Sequence, residues 1–284
     1  MATPSMERLR SKQARIAVIG GGKMGEAIFG GWIGAQQGVA AAWGVQNFTV
    51  VEPGEERCAY LQDAYGIACV ADASELEAAD LVLLSVKPQV MGKVLETVST
   101  MECLREALFV SIAAGLATAK LESQLPAGAH LVRVMPNIPL LVGKGASTLC
   151  PGSCATQEES DLVLDLFGCI GEAFQVEERL MDVTCALNGS GPAYFAALIE
   201  AMADAAAEAG LDRELAERLA TQTAYGTSAL MIERGQSASK TRIDVCSPGG
   251  TTLAALDAMG KAGFSQAMAE GVAAAIQRSK ELGA

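Results

Sequence analysis

Short apolar runs alternate with helical stretches from about residue 15 to residue 176. Five of these runs have the length of a strand and end at Gly, Pro, Ser or a polar residue: RIAVIG, FTVVE, LVLLSVKP, LFVSIAAG and HLVRVMPN. Strands that are apolar throughout are buried on both faces, which predicts a parallel sheet covered by helices. A capped helix in TQEESDLVLDLFGCIG and a final strand in EAFQVEE complete this predicted α/β domain, residues 14–178.

The strand pattern stops after about residue 178, and only helical periodicity follows. Caps and terminating glycines predict helices over 190–210, 212–235, 252–259 and 264–282, the first with Ser190 as a possible cap. These alanine-rich helices carry more apolar surface than a domain of residues 179–284 would bury alone. The pattern therefore predicts an all-helical second domain that associates with another subunit.

Charge argues against two classes of partner. Thirty-three acidic and 21 basic side chains give a net charge of −12, which disfavours nucleic acid and anionic membranes. The most apolar helical stretch contains Glu200 and Asp204, so it predicts a buried amphipathic helix and no membrane span. The first 13 residues have charge but no apolar segment, which indicates a flexible leader and no secretion signal.

The eight cysteines are scattered without the spacing of a disulfide framework, which is typical of a reducing cytoplasm. Cys150 and Cys154 form a lone C-x-x-x-C without a histidine nearby, so we expect no metal site.

A first glycine-rich loop, RIAVIGGGKMGEAI, lies between an apolar strand and a helix. Gly20, Gly22 and Gly25 have the G-x-G-x-x-G spacing, which suits a tight turn beside a dinucleotide pyrophosphate at a helix N-terminus. The alternative is a tight turn without a ligand. Glu52, at the end of the next strand, is either a solvated strand end or the acceptor for the adenosine ribose, and Arg57 nearby can reach a phosphate.

A second glycine-rich loop, CSPGGTT, opens a predicted helix near Leu253. Pro248 stiffens the approach, the two glycines free the backbone, and a threonine can cap the helix. Free N–H groups there would form a small anion site, for which a carboxylate is the natural guest. The alternative is an ordinary turn followed by a cap.

A single histidine, His130, stands at the start of a predicted strand, where a packing role is expected. The chain therefore offers almost no histidine for a catalytic triad or for a dehydrogenase site that depends on one. A cyclic imine suits such a site, because it can arrive already protonated, whereas a ketone usually needs a positioned acid.

These stretches, in this order, resemble the pyrroline-5-carboxylate reductase family, which makes proline in its last biosynthetic step. The resemblance rests on GGGKMGEAI, LLSVKPQ, SIAAG, RVMPNIP, NGSGPAYFAALIEAMADA, VCSPGGTTLAAL and RSKEL. It implies a Rossmann-like dinucleotide-binding domain followed by an all-α dimerisation domain, with the active site between them. It also implies hydride transfer from a reduced nicotinamide to a C=N carbon, and dimers that often stack into decamers.

The resemblance implies roles for particular residues. The substrate carboxylate would lie against Ser247, Gly249, Gly250, Thr251 and Thr252, and the Thr252 hydroxyl would face the ring nitrogen as the catalytic group. The cofactor would be bound by Gly20, Gly22, Lys23, Met24, Gly25, Glu52, Val86, Lys87, Pro88, Met135 and Pro136.

Two stretches depart from the family pattern. EPGEER stands where many members have an Asn-Arg pair suited to the 2′-phosphate of NADPH, so Glu52 favours NADH or use of both cofactors. SASKTRIDV has Ala238 and Thr241 where a proline and a leucine are expected, which predicts a different path into the second loop.

Two other functions compete with this interpretation. A related reductase of small hydroxy or keto acids generally uses a lysine or similar acid, and NGSGPAYFAALIEAMADA contains none. A dinucleotide sensor without catalysis would have no need of Thr252 or the paired glycines, which are both present.

Overall fold

The computed structural model describes residues 4–283, which divide into two compact units. The first contains residues 4–189 together with 276–283, and the second contains residues 190–275. The division between them falls after Gly189, later than the boundary at residue 178 that the loss of strand pattern predicts.

The first unit is built on one eight-stranded sheet in the order β3-β2-β1-β4-β5-β6-β7-β8. The strands are β1 Ile16–Ile19, β2 Phe48–Val51, β3 Ala68–Val70, β4 Leu81–Leu84, β5 Leu108–Ser111, β6 His130–Met135, β7 Gly145–Pro151 and β8 Gly171–Gln175. All pairs are parallel except β6 with β7, which are antiparallel. The chain order reverses at β1, so the crevice between β1 and β4 lies at the position where doubly wound sheets bind ligands.

Two of the strands escape prediction from the sequence. β3 has only three residues and lies at the sheet edge, so it lacks the continuous apolar run of a central strand. β7 contains Ser147 and Thr148, which are buried but polar. β7 also makes the predicted all-parallel sheet a mixed one.

Helices cover both faces of this sheet. They are α1 Met6–Leu9, α2 Lys23–Ile33, α3 Glu55–Tyr65, α4 Pro88–Ser99, α5 Thr118–Glu122, α6 Gln157–Gly168 and α7 Met181–Thr184. Phe29 and Trp32 of α2 belong to the core on one face, and Met91 and Leu95 of α4 belong to the core on the other. The central strands β1, β4 and β5 are almost entirely apolar because both of their faces are buried.

Residues 4–13 pack on the domain, so the expectation of a flexible leader is wrong for this segment. Leu9 of α1 is fully buried, and its carbonyl accepts a hydrogen bond from Trp43 Nε1 at 2.9 Å. Asp80 pairs with Arg8 at 3.1 Å and with Arg15 at 2.7 Å. Leu9 is thus an apolar contact within a mostly polar segment. Residues 1–3 lie outside the described residues.

The second unit is all helical, as predicted. It contains α8 Gly191–Glu208, α9 Arg213–Arg234, α10 Ala238–Asp244, α11 Thr251–Lys261 and the first part of α12 Phe264–Gly283. The short α10 is absent from the predicted set. Asp212 caps α9 through a bond from Leu215 N at 2.9 Å, as predicted, whereas Ser190 caps nothing, because a π-helical turn at Cys185–Gly189 leads into α8.

Large apolar side chains remain exposed on the helices of this unit. The most exposed are Phe195, Leu219, Tyr225, Ile232, Ile243 and Val245, each more than half exposed. Apolar surface of this kind is typical of helices that pack against another subunit. Within residues 4–283, no helix has the length and apolar character needed to cross a membrane.

A disulfide joins Cys58 of α3 to Cys69 of β3. The expectation of reduced cysteines is wrong for this pair. A turn at Gly66 sends the chain back along α3, so Cys69 of the edge strand lies beside Cys58 near the start of the helix, with 5.9 Å between the two Cα atoms. Their separation of 11 residues in the sequence does not reveal this proximity.

We expect reduction of this disulfide to lower the melting temperature of the purified protein. Closing a loop of this length restricts the unfolded chain and contributes about 2 to 3 kcal/mol to the free energy of unfolding. In a domain of this size that corresponds to a fall of roughly 5 °C or more. Thermal unfolding should be followed with and without dithiothreitol. Cys58→Ser should melt at the lower temperature, and dithiothreitol should not change its melting temperature. If dithiothreitol lowered the melting temperatures of wild type and variant equally, the pairing would be contradicted.

Candidate active site

The first glycine loop joins β1 to α2 and leaves the helix N-terminus open. Gly22 is the N-cap residue of α2, with no side chain capping it, and a Cβ atom added at Gly22 would meet nothing within 4 Å. Gly20 has φ +107°, and a Cβ there would lie 2.9 Å from the carbonyl carbon and oxygen of Ser85. An uncapped 11-residue helix with clear space before it fits a pyrophosphate.

Neighbouring strands fix the backbone of this loop. Gly20 donates its N–H to Val51 O at 2.9 Å, and Gly20 O accepts a bond from the Ser85 hydroxyl at 2.7 Å. Ser85 Oγ also lies 3.1 Å from Ile19 O. Ser85 is a residue that sequence reasoning passed over, although it lies in the motif LLSVKPQ; the adjacency of β4 and β1 supplies its role.

Glu52 and Arg57 hold the backbone of Gly21 through its N–H and its C=O. Gly21 N donates to Glu52 Oε2 at 3.0 Å, and Gly21 O accepts from Arg57 Nε at 2.6 Å. The other oxygen of Glu52 accepts from Gly54 N at 3.0 Å. A Cβ at Gly21 would lie 2.7 Å from the buried side chain of Leu61, so glycine is needed at a position that the G-x-G-x-x-G pattern leaves free. Glu52 therefore fixes the backbone of the loop, independently of any hydrogen bond it makes to a ribose.

Glu26 gathers three side chains of α3 around its carboxylate. Its Oε2 accepts from Arg57 Nη2, and its Oε1 accepts from the hydroxyls of Tyr65 at 3.0 Å and Tyr60 at 3.2 Å. The Arg57 guanidinium also stacks over the Tyr60 ring, 4.9 Å from its centroid. We call Glu26, Arg57, Tyr60 and Tyr65 the Glu26 cluster.

Charge in this cluster is settled at neutral pH. Burial raises the pKa of Glu26, but the hydrogen bonds from Arg57 and Tyr65 outweigh it, and the pKa lies below its usual range. Burial and the neighbouring Glu26 raise the pKa of Tyr65 to about 12. At neutral pH Glu26 is therefore a carboxylate and Tyr65 a neutral phenol.

The remaining residues predicted to contact the cofactor follow β4 and β6. Val86, Lys87 and Pro88 lie between β4 and α4, where Pro88 is the first residue of the helix and Lys87 is exposed. Met135 ends β6 and Pro136 follows it. Because β1, β4, β5 and β6 run parallel, these segments share the carboxyl edge of the sheet with the first glycine loop.

Two asparagines lock the turn after β6. Asn188 Nδ2 donates to Met135 O and to Ala146 O, both at 2.8 Å. Asn137 Nδ2 donates to Asn188 O at 3.0 Å, and its Oδ1 accepts from Ala146 N at 2.8 Å. Asn188, which from the sequence alone could be no more than a helix cap, instead fixes the Met135–Pro136 turn; its partners are 42 and 53 residues away, so the sequence gives no signal of it.

The second glycine loop, considered within its own unit, also ends at an open helix. Gly249 has φ +68°, and Gly250 is the N-cap of α11, with no side chain capping it. The expectation that a threonine caps a helix near Leu253 is wrong, because α11 already begins at Thr251. Both threonines thus lie in the first helical turn, where their hydroxyls and the free N–H groups can serve an anion.

The hydrogen bond of His130 is to a residue outside both glycine loops. Its Nδ1 is 2.9 Å from the fully buried carboxylate of Glu159, which also belongs to the capping box of α6. Among the described residues, no three His, Cys, Asp or Glu side chains are grouped as metal ligands.

A doubly wound sheet with a glycine loop after β1 defines a dinucleotide-binding protein. Comparison with family models supports this class. Residues 15–115 match the model described as "NADP oxidoreductase coenzyme F420-dependent", and residues 178–282 match "Pyrroline-5-carboxylate reductase dimerisation".

Relatives match nearly the whole chain. The pyrroline-5-carboxylate reductase of Corynebacterium melassecola is 40% identical, covering 94% of this chain and 98% of its own, and that of Escherichia coli is 35% identical, covering 95% and 98%. A pyrroline-5-carboxylate reductase structure from Coxiella burnetii has a TM-score of 0.87 and 30% identity, covering 95% and 99%. That of the Plasmodium falciparum pyrroline carboxylate reductase with NADP bound has a TM-score of 0.83 and 29% identity, covering 96% and 100%. This chain belongs to the pyrroline-5-carboxylate reductase family.

Proposed function

We propose that this protein reduces 1-pyrroline-5-carboxylate to L-proline with NADH or NADPH, the last step of proline biosynthesis. Family membership over the whole chain supports the reaction. The second glycine loop is the feature of this chain that most directly supports the proposed reaction. It presents two threonines and an uncapped helix N-terminus in a unit that has no need of them for packing, since Thr251 is exposed and Thr252 half-buried.

The first glycine loop would hold the cofactor. Its open helix N-terminus favours the pyrophosphate through free N–H groups and the helix dipole, contributed by Gly22, Lys23, Met24 and Gly25. Val86, Lys87, Pro88, Met135 and Pro136 would border the nicotinamide, and Asn188 keeps the Met135–Pro136 turn in one position. When bound, the reduced nicotinamide supplies the hydride.

The second glycine loop would hold the substrate. Backbone N–H groups of Gly249, Thr251 and Thr252 would bind the carboxylate and orient the ring, while Gly250 closes the turn by donating its N–H to Ser247 O at 3.0 Å. The Thr252 hydroxyl would hydrogen-bond the ring nitrogen, which gains a hydrogen-bonding lone pair as the C=N bond is reduced. Positioning and electrostatic stabilisation then carry the catalysis, because a protonated imine needs little acid help.

We infer a homodimer formed through the helical unit, with dimers assembling into a higher oligomer such as a decamer. The exposed apolar side chains of α8 to α11 and the match of residues 178–282 to a dimerisation model support association. We infer neither nucleic acid nor membrane as a partner, in keeping with the net charge of −12. We also infer a cytoplasmic location, which the six free cysteines suit although Cys58 and Cys69 are joined.

The function is tested by following the loss of reduced-nicotinamide absorbance with 1-pyrroline-5-carboxylate, in parallel with NADH and with NADPH. We expect consumption of cofactor and formation of an equal amount of proline. Cofactor binding without consumption, in protein shown to be folded and associated, would contradict catalysis and indicate a dinucleotide sensor. The ratio of the two rates measures the cofactor preference.

A further inference from the structure

The Glu26 cluster lies against the part of the glycine loop that faces the adenosine end of a bound dinucleotide. In doubly wound folds the adenosine ribose lies at the carboxyl end of β2, which here is Val51, followed directly by Glu52. Glu52 accepts from the Gly21 N–H and Arg57 donates to the Gly21 C=O, so the two side chains hold the two successive peptide groups that meet at Gly21. The Arg57 guanidinium is therefore bonded to the same loop residue as the carboxylate beside which a ribose 2′-hydroxyl or 2′-phosphate would lie.

Arg57 is the cation that these contacts place at this end of the loop, and it is already paired. Its Nε donates to Gly21 O, its Nη2 donates to Glu26 Oε2, and the Tyr60 ring stacks on the face of the guanidinium. Its side chain retains 29% exposure, so it is not sealed from a ligand. A 2′-phosphate would bring nearly two negative charges to a place where Glu52 and Glu26 supply two and Arg57 balances one.

We propose that Glu26 is a specificity-determining residue that favours NADH over NADPH by holding the Arg57 guanidinium away from the 2′-phosphate. This inference rests on the proposed function insofar as the ligand is a nicotinamide dinucleotide. It differs from the role considered for Glu52, which acts on the ribose directly. Glu26 acts through Arg57, in a helix-to-helix contact between α2 and α3.

The variant Glu26→Gln keeps the size of the side chain, removes its charge and replaces one acceptor oxygen by an NH2 group, so the side chain can no longer accept from both the Arg57 guanidinium and the two tyrosine hydroxyls. Isothermal titration with adenosine 2′,5′-bisphosphate and with adenosine 5′-monophosphate separates the effect on the 2′-phosphate from that on the rest of the nucleotide. We expect the bisphosphate to bind about tenfold more tightly to the variant and the monophosphate to bind unchanged. The gain should shrink as the sodium chloride concentration rises, because it is electrostatic.

Two further variants keep the test specific. Glu56→Gln removes one exposed carboxylate from the same turn of α3 and should leave both affinities unchanged. Glu26→Gln combined with Arg57→Gln should lose the tenfold gain, since the released cation is then absent. Equal gains in Glu26→Gln and Glu56→Gln, no gain in Glu26→Gln, or a gain that survives loss of Arg57 would each overturn the proposal.

Steady-state kinetics gives a second readout. The ratio of kcat/KM for NADPH to that for NADH should rise about tenfold in Glu26→Gln. If the wild type binds the nucleotides but does not reduce 1-pyrroline-5-carboxylate, the proposed function fails, while the titrations still decide the role of Glu26.

Discussion

Gly20→Ala should weaken the binding of NADH by about 100-fold or more. The φ of Gly20 is +107°, which an alanine adopts only under strain, and the added Cβ would lie 2.9 Å from backbone atoms of Ser85. Backbone of the adjacent strand cannot move aside as the end of a side chain can. The loop would shift instead, taking with it the N–H groups that would bind the pyrophosphate.

The matched control for this variant is Gly66→Ala. Gly66 also has a positive φ, +66°, but a Cβ there would meet nothing within 4 Å. Fluorescence titration with NADH should show a large loss for Gly20→Ala and wild-type binding for Gly66→Ala, with folding of both checked by circular dichroism. Wild-type affinity in a folded Gly20→Ala protein would show that the first glycine loop does not bind the cofactor.

Thr252→Val should lower kcat for 1-pyrroline-5-carboxylate by about 10- to 100-fold while leaving the affinity for NADH unchanged. Valine has the shape of threonine without the hydroxyl, so the variant removes a hydrogen bond worth about 1.5 to 3 kcal/mol when its partner is charged. The hydroxyl is not used to cap α11, so its loss should not cost the helix a cap.

Thr252→Ser retains the hydroxyl and serves as the control for Thr252→Val. The serine variant should keep most of the wild-type kcat. Comparable loss in both variants would assign the effect to packing of the methyl group, and no loss in either would remove this hydroxyl from the mechanism.

Local sequence patterns were sufficient for most of the fold. β1 and β4 are apolar throughout, and β2, β5 and β6 are mostly apolar and mostly buried, so composition and length reveal them. β3 and β7 are missed for opposite reasons: one is too short and at the edge, and the other buries polar residues. The anchoring of Leu9 depends on contact with Trp43, which no periodicity in the first 13 residues indicates.

Less of the candidate site than of the fold could be predicted from the sequence. Both glycine loops can be recognised in the sequence, because glycines just before a helix permit a tight turn and leave the backbone N–H groups accessible. The residues that fix those loops are not, since Ser85, Arg57 and Asn188 act on backbone atoms brought near by the sheet order. Such contacts link residues dozens of positions apart, and neither propensity nor spacing encodes them.

The central claim is that one glycine loop binds a dinucleotide and the other binds the substrate carboxylate during imine reduction. It is tested most directly by comparing 1-pyrroline-5-carboxylate with 1-pyrroline, the same cyclic imine without its carboxylate, at saturating NADH or NADPH. We predict that kcat/KM falls by about 100-fold or more for the ring that lacks the carboxylate, because the second loop then has nothing to hold. Equal kcat/KM for the two imines would contradict the account.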